Sequence, residues 1–167
     1  GMEQQRGIPK THRSDIRNAI KRGISIVEDP DLGRLKDLQR LYEAAMRAVN
    51  AQECYFFPES YYDAVRYHLR GRAKLFLAML NGTPVAAMLF FHCGHILQYH
   101  LGGSDPAMYR EGTMGAKLII DTVRRWGTAN GFRWLHLGGG LGARQDSLFL
   151  FKAGFSDLRC DDHVVNY

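Results

Sequence analysis

Apolar positions along the chain recur at two spacings, and together they predict an α/β fold. Helical spacing is clearest after Asp31, where leucines return every three or four residues, and again over residues 112–130. A short basic helix is predicted over 14–22 and another helix over 58–69, with Pro58 in its first turn. Residues 147–153 form a last short helix behind a capping Asp146.

Strand-like apolar runs lie between these helices. They cover residues 24–27, 74–80, 85–91, 96–101 and 134–137. Asn81-Gly82 joins two of the runs and is a strong hairpin signal, and the turn 92–95 joins the next pair. The long helix then carries the chain into the last strand as a right-handed parallel crossover. We therefore expect a mixed central sheet with helices on both faces.

Glycines follow both strands of the predicted parallel pair. Gly102-Gly103 come after strand 96–101, and Gly138, Gly139 and Gly140 come after strand 134–137. Because the carboxyl ends of parallel neighbours meet at one edge, the two glycine clusters should border one cleft. Ligands favour such clefts, although a glycine-rich loop that only turns a corner is the plain alternative.

Composition is that of one globular domain. The chain has 167 residues, of which 46 % are hydrophobic and 23 % charged. The start has no secretory-signal pattern and no apolar run is long enough to span a bilayer, so a cytoplasmic location is expected. Three scattered cysteines indicate reduced thiols, and no metal site is predicted. We expect an arm over 1–23 and a single domain over 24–167.

Positive charge is concentrated at the N-terminal end. Residues 1–22 carry six cations and two carboxylates, so they hold +4 of the net charge of +5. Such an arm suits phosphate-rich partners, namely RNA or an anionic membrane surface, whereas DNA binding is not expected. A solvated basic helix is the alternative.

The segment WLHLGGGLGARQDSLFLFKAGF, with YHLGGS and RNAIKRG, resembles the Fem family of peptidoglycan-bridge aminoacyltransferases. The element order likewise resembles the GNAT acyltransferase fold. Members of the Fem family carry two GNAT-like halves, and this chain is similar to the second, so we expect either a second half elsewhere or a short single-module relative. The resemblance implies that Phe151, Lys152 and Phe155 form the Phe-Lys-x-x-Phe motif, with Lys152 at a phosphate-bearing substrate.

An anion site is predicted where the long helix begins. Arg110, Gly112, Thr113 and Gly115 are similar to the frame with which CoA-using GNAT enzymes hold pyrophosphate, but Thr113 replaces its first glycine. An ordinary helix start is the alternative. The acyl donor is therefore expected to be acetyl-CoA or an aminoacyl-tRNA, and no permanently bound cofactor is expected. On the acceptor side, Arg144 joins the glycine run as a donor to phosphate or carboxylate.

Two histidines near the strand ends are candidate general bases. His100 should share a strand face with Gln98, leaving Leu97, Tyr99 and Leu101 on the other face. His136 lies in the last strand, and Tyr99 and Tyr109 are candidate proton donors. A hydrogen-bonded structural histidine is the alternative in each case.

Three functions follow. The first is transfer of an aminoacyl or acyl group to an amine of a cell-wall precursor. The second is acetyl-CoA-dependent N-acetylation of a small molecule or peptide. The third is a non-catalytic module that binds precursor or tRNA. Peripheral membrane contact is compatible with the basic arm.

Overall fold

A computed structural model describes residues 9–110, 114–140 and 145–159. Six helices and five strands lie in these ranges, together with a short 3-10 helix at Glu53–Tyr55. The helices are α1 Lys10–Lys21, α2 Leu35–Ala48, α3 Glu59–His68, α4 Pro106–Arg110, α5 Gly115–Ala129 and α6 Ser147–Ala153. The strands are β1 Ser25–Asp29, β2 Ala73–Leu80, β3 Thr83–Cys93, β4 Ile96–Ser104 and β5 Trp134–His136.

The strands form one mixed sheet in the order β1-β2-β3-β4-β5. β1 to β4 run antiparallel to their neighbours, and β5 joins β4 in parallel. Asn81 and Gly82 connect β2 to β3 with positive φ angles of 49° and 79°. A two-residue hairpin turn requires such angles, and Asn-Gly adopts them readily. The predicted hairpins, the parallel pairing of the last two strands and the mixed sheet are confirmed.

Helices cover both faces of this sheet. On one face α2 and α3 pack on alternate residues of β2, with Leu38 and Leu75 fully buried between the layers. On the other face Phe76 of β2 meets Trp126 of α5 edge-on at 5.6 Å, and Ile119 and Val123 of α5 are fully buried. The helical spacing of apolar residues also predicts that Ile20 and Val49 face the core, but they are exposed, at 54 % and 62 %.

A bulge in β4 overturns the predicted face assignment. Leu101 pairs with Leu89, but Tyr99 pairs with Phe90, so His100 is an extra residue in the ladder. As a result Leu97 lies against Gly127 of α5, while Leu101 belongs to the core under α2 and α3. Without the extra residue the two leucines would share one face.

The predicted end of the fourth strand is also wrong. Gly102 and Gly103 do not follow β4 but lie within it, paired with Met88 and Ala87. A Cβ atom on Gly103 would overlap the Leu41 carbonyl oxygen, so this glycine allows the α2 backbone to touch the sheet. The helix α4, which follows at once, was not predicted.

The described residues fall into two compact units, 14–138 with the sheet, and a smaller one made of 9–13 with 139–159. In the smaller unit Asp146 caps α6 by accepting a hydrogen bond from the Phe149 N–H at 2.8 Å, as predicted. His12 meets Phe155 edge-on at 4.8 Å, and a Cβ on Gly154 would lie 2.5 Å from the His12 ring. The predicted division at residues 23 and 24 stays a prediction.

Candidate active site

The parallel strands β4 and β5 run together only briefly. Their register is Ile96 with Trp134, Leu97 with Leu135 and Gln98 with His136. β5 ends at His136, whereas β4 continues to Ser104. Beyond Gln98, therefore, no described strand pairs with β4 on this side, and the carboxyl ends of such strands are where ligands of α/β sheets bind.

His100 lies where this unpaired stretch meets the bulge. Its Nε2 atom shares a hydrogen bond with the hydroxyl of Tyr61 on α3, and its ring stacks on Phe91 of β3 at 4.3 Å. Although part of the ring is exposed, these neighbours bury enough of it to lower the pKa of His100 below its ordinary value of 6.5. A neutral imidazole at neutral pH can accept a proton from an amine.

The rings on the α3 side of His100 form an array that sequence reasoning missed. Tyr61 stacks on Phe57 at 4.5 Å, and Phe57 stacks on Tyr42 at 5.8 Å. Burial raises the pKa of Tyr61, and it raises that of Tyr42 to about 12, so both hydroxyls stay protonated. The aromatic-rich run YFFPESYY over residues 55–62 is the signal that could have indicated this wall.

Tyr99 and His136 occupy less open positions than His100. Tyr99 meets Phe90 edge-on at 5.8 Å, and burial raises the pKa of its hydroxyl, so the group can donate a proton but not accept one at neutral pH. His136 is half-buried as the last residue of β5, directly opposite Gln98. Because its partner Gln98 comes two residues before His100, His136 lies beside the part of β4 that precedes His100.

The predicted acceptor residues fall in the smaller unit, apart from Gly138. Lys152 donates from Nζ to the carbonyl oxygen of Gly139 at 2.7 Å, and burial lowers its pKa although nearby Asp146 acts to raise it. Phe151 packs on Phe155 at 5.6 Å. Gly138 adopts a positive φ of 68°, and Gly140 lies in a bend. Arg144 lies outside the described residues.

Part of the predicted binding site for the acyl donor lies outside the described residues. Gly112 and Thr113 lie outside them, and Arg110 is the last residue of α4. Gly115 begins α5 and packs closely on the sheet, since its Cβ would be 3.0 Å from that of Ala78. Next to it, a cavity of about 400 Å³ opens, lined by Asp15, Asn18, Lys21, Arg22 and Met114.

This cavity has a cationic rim. Lys21 is the last residue of α1 and Arg22 follows it, while Asp15 is paired with Lys117 of α5 at 2.5 Å. Met114, at the N-cap of α5, leads into a helix end whose backbone N–H groups favour an anion. The residues present therefore fit the phosphates of an acyl donor. The predicted roles of Arg110, Gly112, Thr113 and Gly115 stay predictions.

Two further properties bear on the site. Within the described residues, no group of three or more His, Cys, Asp or Glu side chains could hold a metal ion. None of the helices described is both long enough and apolar enough to cross a bilayer.

Comparison with known proteins gives one family match. The family described as acetyltransferase (GNAT) domain matches residues 10–144. A comparison with curated proteins finds no significant match. The match covers most of the chain, including the whole of the sheet and α5.

Solved structures show the same fold at low sequence identity. FemX is similar with a TM-score of 0.73 and 16 % identity over 92 % of this chain, but over only 55 % of its own length. An aminoglycoside acetyltransferase from an uncultured soil metagenomic sample, solved with sisomicin, gives 0.59 and 20 %, covering 86 % and 93 % of the two chains. A ribosomal-protein-alanine N-acetyltransferase from Brucella melitensis gives 0.62 and 13 %, covering 86 % and 99 %. The mixed-sheet GNAT fold predicted from the sequence is confirmed.

Proposed function

Because the chain belongs to the acetyltransferase (GNAT) domain family, we propose that it is an N-acyltransferase that uses acetyl-CoA and acetylates a primary amine. The observation that carries the proposal is the position of His100. It lies at the bulge of β4, just past the last pair that β4 makes with β5.

The stretch of β4 beyond its last pair with β5 would hold the carbonyl group of the acyl donor. Attack on a thioester carbonyl makes an oxyanion, which needs hydrogen-bond donors already in place. The bulge breaks the ladder around Tyr99 and His100, and no described strand pairs with β4 on its other side there. Backbone N–H groups of this stretch would polarise the carbonyl, and few other groups are needed because such transfer depends on positioning.

His100 would prepare the nucleophile. A primary amine is mostly protonated at neutral pH and attacks only after losing that proton. The imidazole is neutral there because burial lowers its pKa, so it accepts the proton as the new amide N–C bond forms. CoA leaves as a thiolate when the C–S bond breaks, and the hydroxyl of Tyr99, which burial keeps protonated, is the proposed proton donor to it. The tyrosinate then regains a proton from solvent.

The donor would lie with its phosphates at the cationic cavity. Lys21, Arg22 and Asn18 line this cavity beside the N-cap of α5, and guanidinium and ammonium groups bind phosphate through charge-assisted hydrogen bonds. The proposed pyrophosphate contacts of Arg110, Gly112, Thr113 and Gly115 are adjacent in sequence to this helix end.

A second candidate is Fem-like transfer of an aminoacyl group to an amine of a cell-wall precursor. It is favoured by the similarity to FemX over 92 % of the chain and by the cations that begin the chain. In that case tRNA supplies the donor, a second half completes the enzyme, and Lys152, Arg144, Gly138, Gly139, Gly140 and Phe151 bind the precursor. His100 would still be the base.

Binding and turnover separate the two candidates. The purified chain would be titrated by calorimetry with CoA, acetyl-CoA, a UDP-linked muropeptide and aminoacyl-tRNA, and then assayed for acyl transfer to a panel of primary amines. We expect acetyl-CoA to bind and its thiol to be released only when an amine is present. Binding of aminoacyl-tRNA alone would favour the second candidate, and binding of none of the four would contradict both.

A further inference from the structure

We infer that Tyr61 is a positioning residue that holds the His100 imidazole in the tautomer whose Nδ1 atom is free to take the acceptor's proton. The inference rests on the proposed function, because it assigns a partner to the proposed base. It adds a residue on α3 to the proposed site residues.

The contact between the two side chains is direct. The Tyr61 hydroxyl and the Nε2 atom of His100 form a hydrogen bond although the residues are 39 apart in sequence. One face of each ring is covered by a stacking partner, since Phe91 stacks on His100 at 4.3 Å and Phe57 stacks on Tyr61 at 4.5 Å. Neither ring can turn away without losing a stacking partner, so the pair has one preferred geometry.

The direction of this hydrogen bond determines which nitrogen is the base, and we assign Nε2–H as its donor. A neutral imidazole has one N–H donor and one nitrogen lone pair. When Nε2–H donates to the Tyr61 oxygen, Nδ1 keeps the lone pair and can accept a proton. After it does so, both nitrogens carry hydrogen and the Nε2–H bond to oxygen becomes charge-assisted, which stabilises the imidazolium.

The next residue along the chain provides a contrast. Tyr62 is only 3 % exposed, and its hydroxyl has no hydrogen-bond partner among the described residues. The two rings meet edge-on at 5.2 Å, so they share one environment but only Tyr61 reaches His100. Replacing Tyr62 by Phe therefore removes the same atom without touching the histidine, which makes it a matched control.

Other ionisable groups lie on the elements packed around the pair. They include Tyr42 and Glu43 on α2, Tyr62 on α3, Tyr99 on β4 and His136 on β5, which lies opposite Gln98. Burial raises the pKa of Tyr42 to about 12 and raises that of Tyr62 further. Both phenols therefore stay neutral over the pH range in which His100 changes its charge. A change in the pH profile of a variant cannot then come from ionisation of these tyrosines.

The test combines imidazole NMR with kinetics on the full chain and on Tyr61→Phe and Tyr62→Phe. The ring nitrogens of His100, assigned by their loss in His100→Gln, report the tautomer without any substrate. For Tyr61→Phe we expect a mixture of tautomers, a kcat lower by roughly tenfold or more and an unchanged KM for the amine. The acidic limb of its pH profile should move to lower pH, because the lost bond favoured the charged imidazole.

Tyr62→Phe should leave the tautomer, kcat and pH profile as they are. Unchanged nitrogen shifts in Tyr61→Phe would overturn the inference, and so would altered shifts with unchanged kcat. Equal losses in both variants would make the effect one of packing and would also overturn it. Failure of the proposed function looks different, since His100→Gln would then retain full transfer activity or no donor would react with the wild-type protein.

Discussion

The two glycine clusters of this chain look alike in sequence and do opposite things in the fold. Gly102 and Gly103 lie inside β4, where a Cβ on Gly103 would overlap the Leu41 carbonyl oxygen and one on Gly102 would lie 2.7 Å from that of Ala87. Gly139, after β5, has nothing within 4 Å of its Cβ position. One cluster permits close packing, and the other leaves space.

The difference shows that a glycine's sequence context does not reveal its role. In β4 the missing side chain allows the α2 backbone to contact the sheet, and this contact fixes the strand that carries His100. After β5 the glycine backbone is anchored by a side chain from another element, because Lys152 of α6 donates a hydrogen bond to the Gly139 carbonyl. Substitutions in the two clusters should therefore differ both in the property they change, stability or substrate binding, and in the magnitude of the change.

Gly103→Ala should have the largest effect. The added methyl group overlaps backbone atoms of Leu41 and Tyr42, which cannot turn aside as a side chain can. We expect a loss of about 3 kcal/mol or more in the free energy of unfolding, measured by urea denaturation, with Gly82→Asn at the β2–β3 turn as a mild comparison. A variant as stable as wild type would mean that α2 does not lie this close to β4.

Gly102→Ala should cost less, about 1 to 3 kcal/mol. One of the atoms in the way is the Met88 side chain, 2.8 Å from the new Cβ, and methionine adapts its rotamer easily. The same urea titration applies. A loss as large as that of Gly103→Ala would show that the Ala87 carbonyl, rather than Met88, decides the outcome.

Lys152→Met should cost about 1 kcal/mol, because the Gly139 carbonyl loses its hydrogen bond. Burial lowers the pKa of Lys152 below 10.5, so the unfolded chain binds more protons and wild-type stability rises as pH increases from the folded-state pKa towards 10.5. The variant should lack this rise in thermal denaturation followed between pH 7 and 10.5. An identical pH dependence in both proteins would contradict the burial of the amine.

Gly139→Ala should have the smallest effect on stability, within about 0.5 kcal/mol, since its Cβ meets open space. If the glycine run binds the cell-wall precursor, as the second candidate function proposes, the KM for that precursor should nevertheless rise. Calorimetric unfolding and steady-state kinetics on the same sample separate the two effects. Unchanged KM would assign this run a purely structural role.

Local signals were enough to predict most of the sheet. The Asn81-Gly82 turn and the amphipathic periods gave the hairpins and the crossover, because these depend on neighbouring residues. The bulge at His100 could not be predicted, since Leu97, Tyr99 and Leu101 alternate as an uninterrupted strand would. Only pairing with Leu89 and Phe90 reveals the extra residue.

The candidate site was predicted in part for the same reason. His100 could be selected as a histidine near a strand end, but its partner Tyr61 is 39 residues away and reaches it only through packing of α3 on the sheet. Ile20 and Val49 were assigned to the core by periodicity, yet their helices present these positions to solvent. Periodicity therefore predicts the helices and strands, but it does not predict which side chains of different elements contact each other.

The pH dependence of kcat/KM for acetyl transfer to an amine, in wild type and His100→Gln, tests the central claim most directly. The wild-type rate should rise through an ionisation below pH 6.5, because burial lowers the pKa of His100. The variant should lose this step together with roughly a hundredfold or more of the rate, while His68→Gln on the exposed end of α3 keeps both. A His100→Gln enzyme that keeps the wild-type rate and the same ionisation would contradict the assignment of His100 as the base.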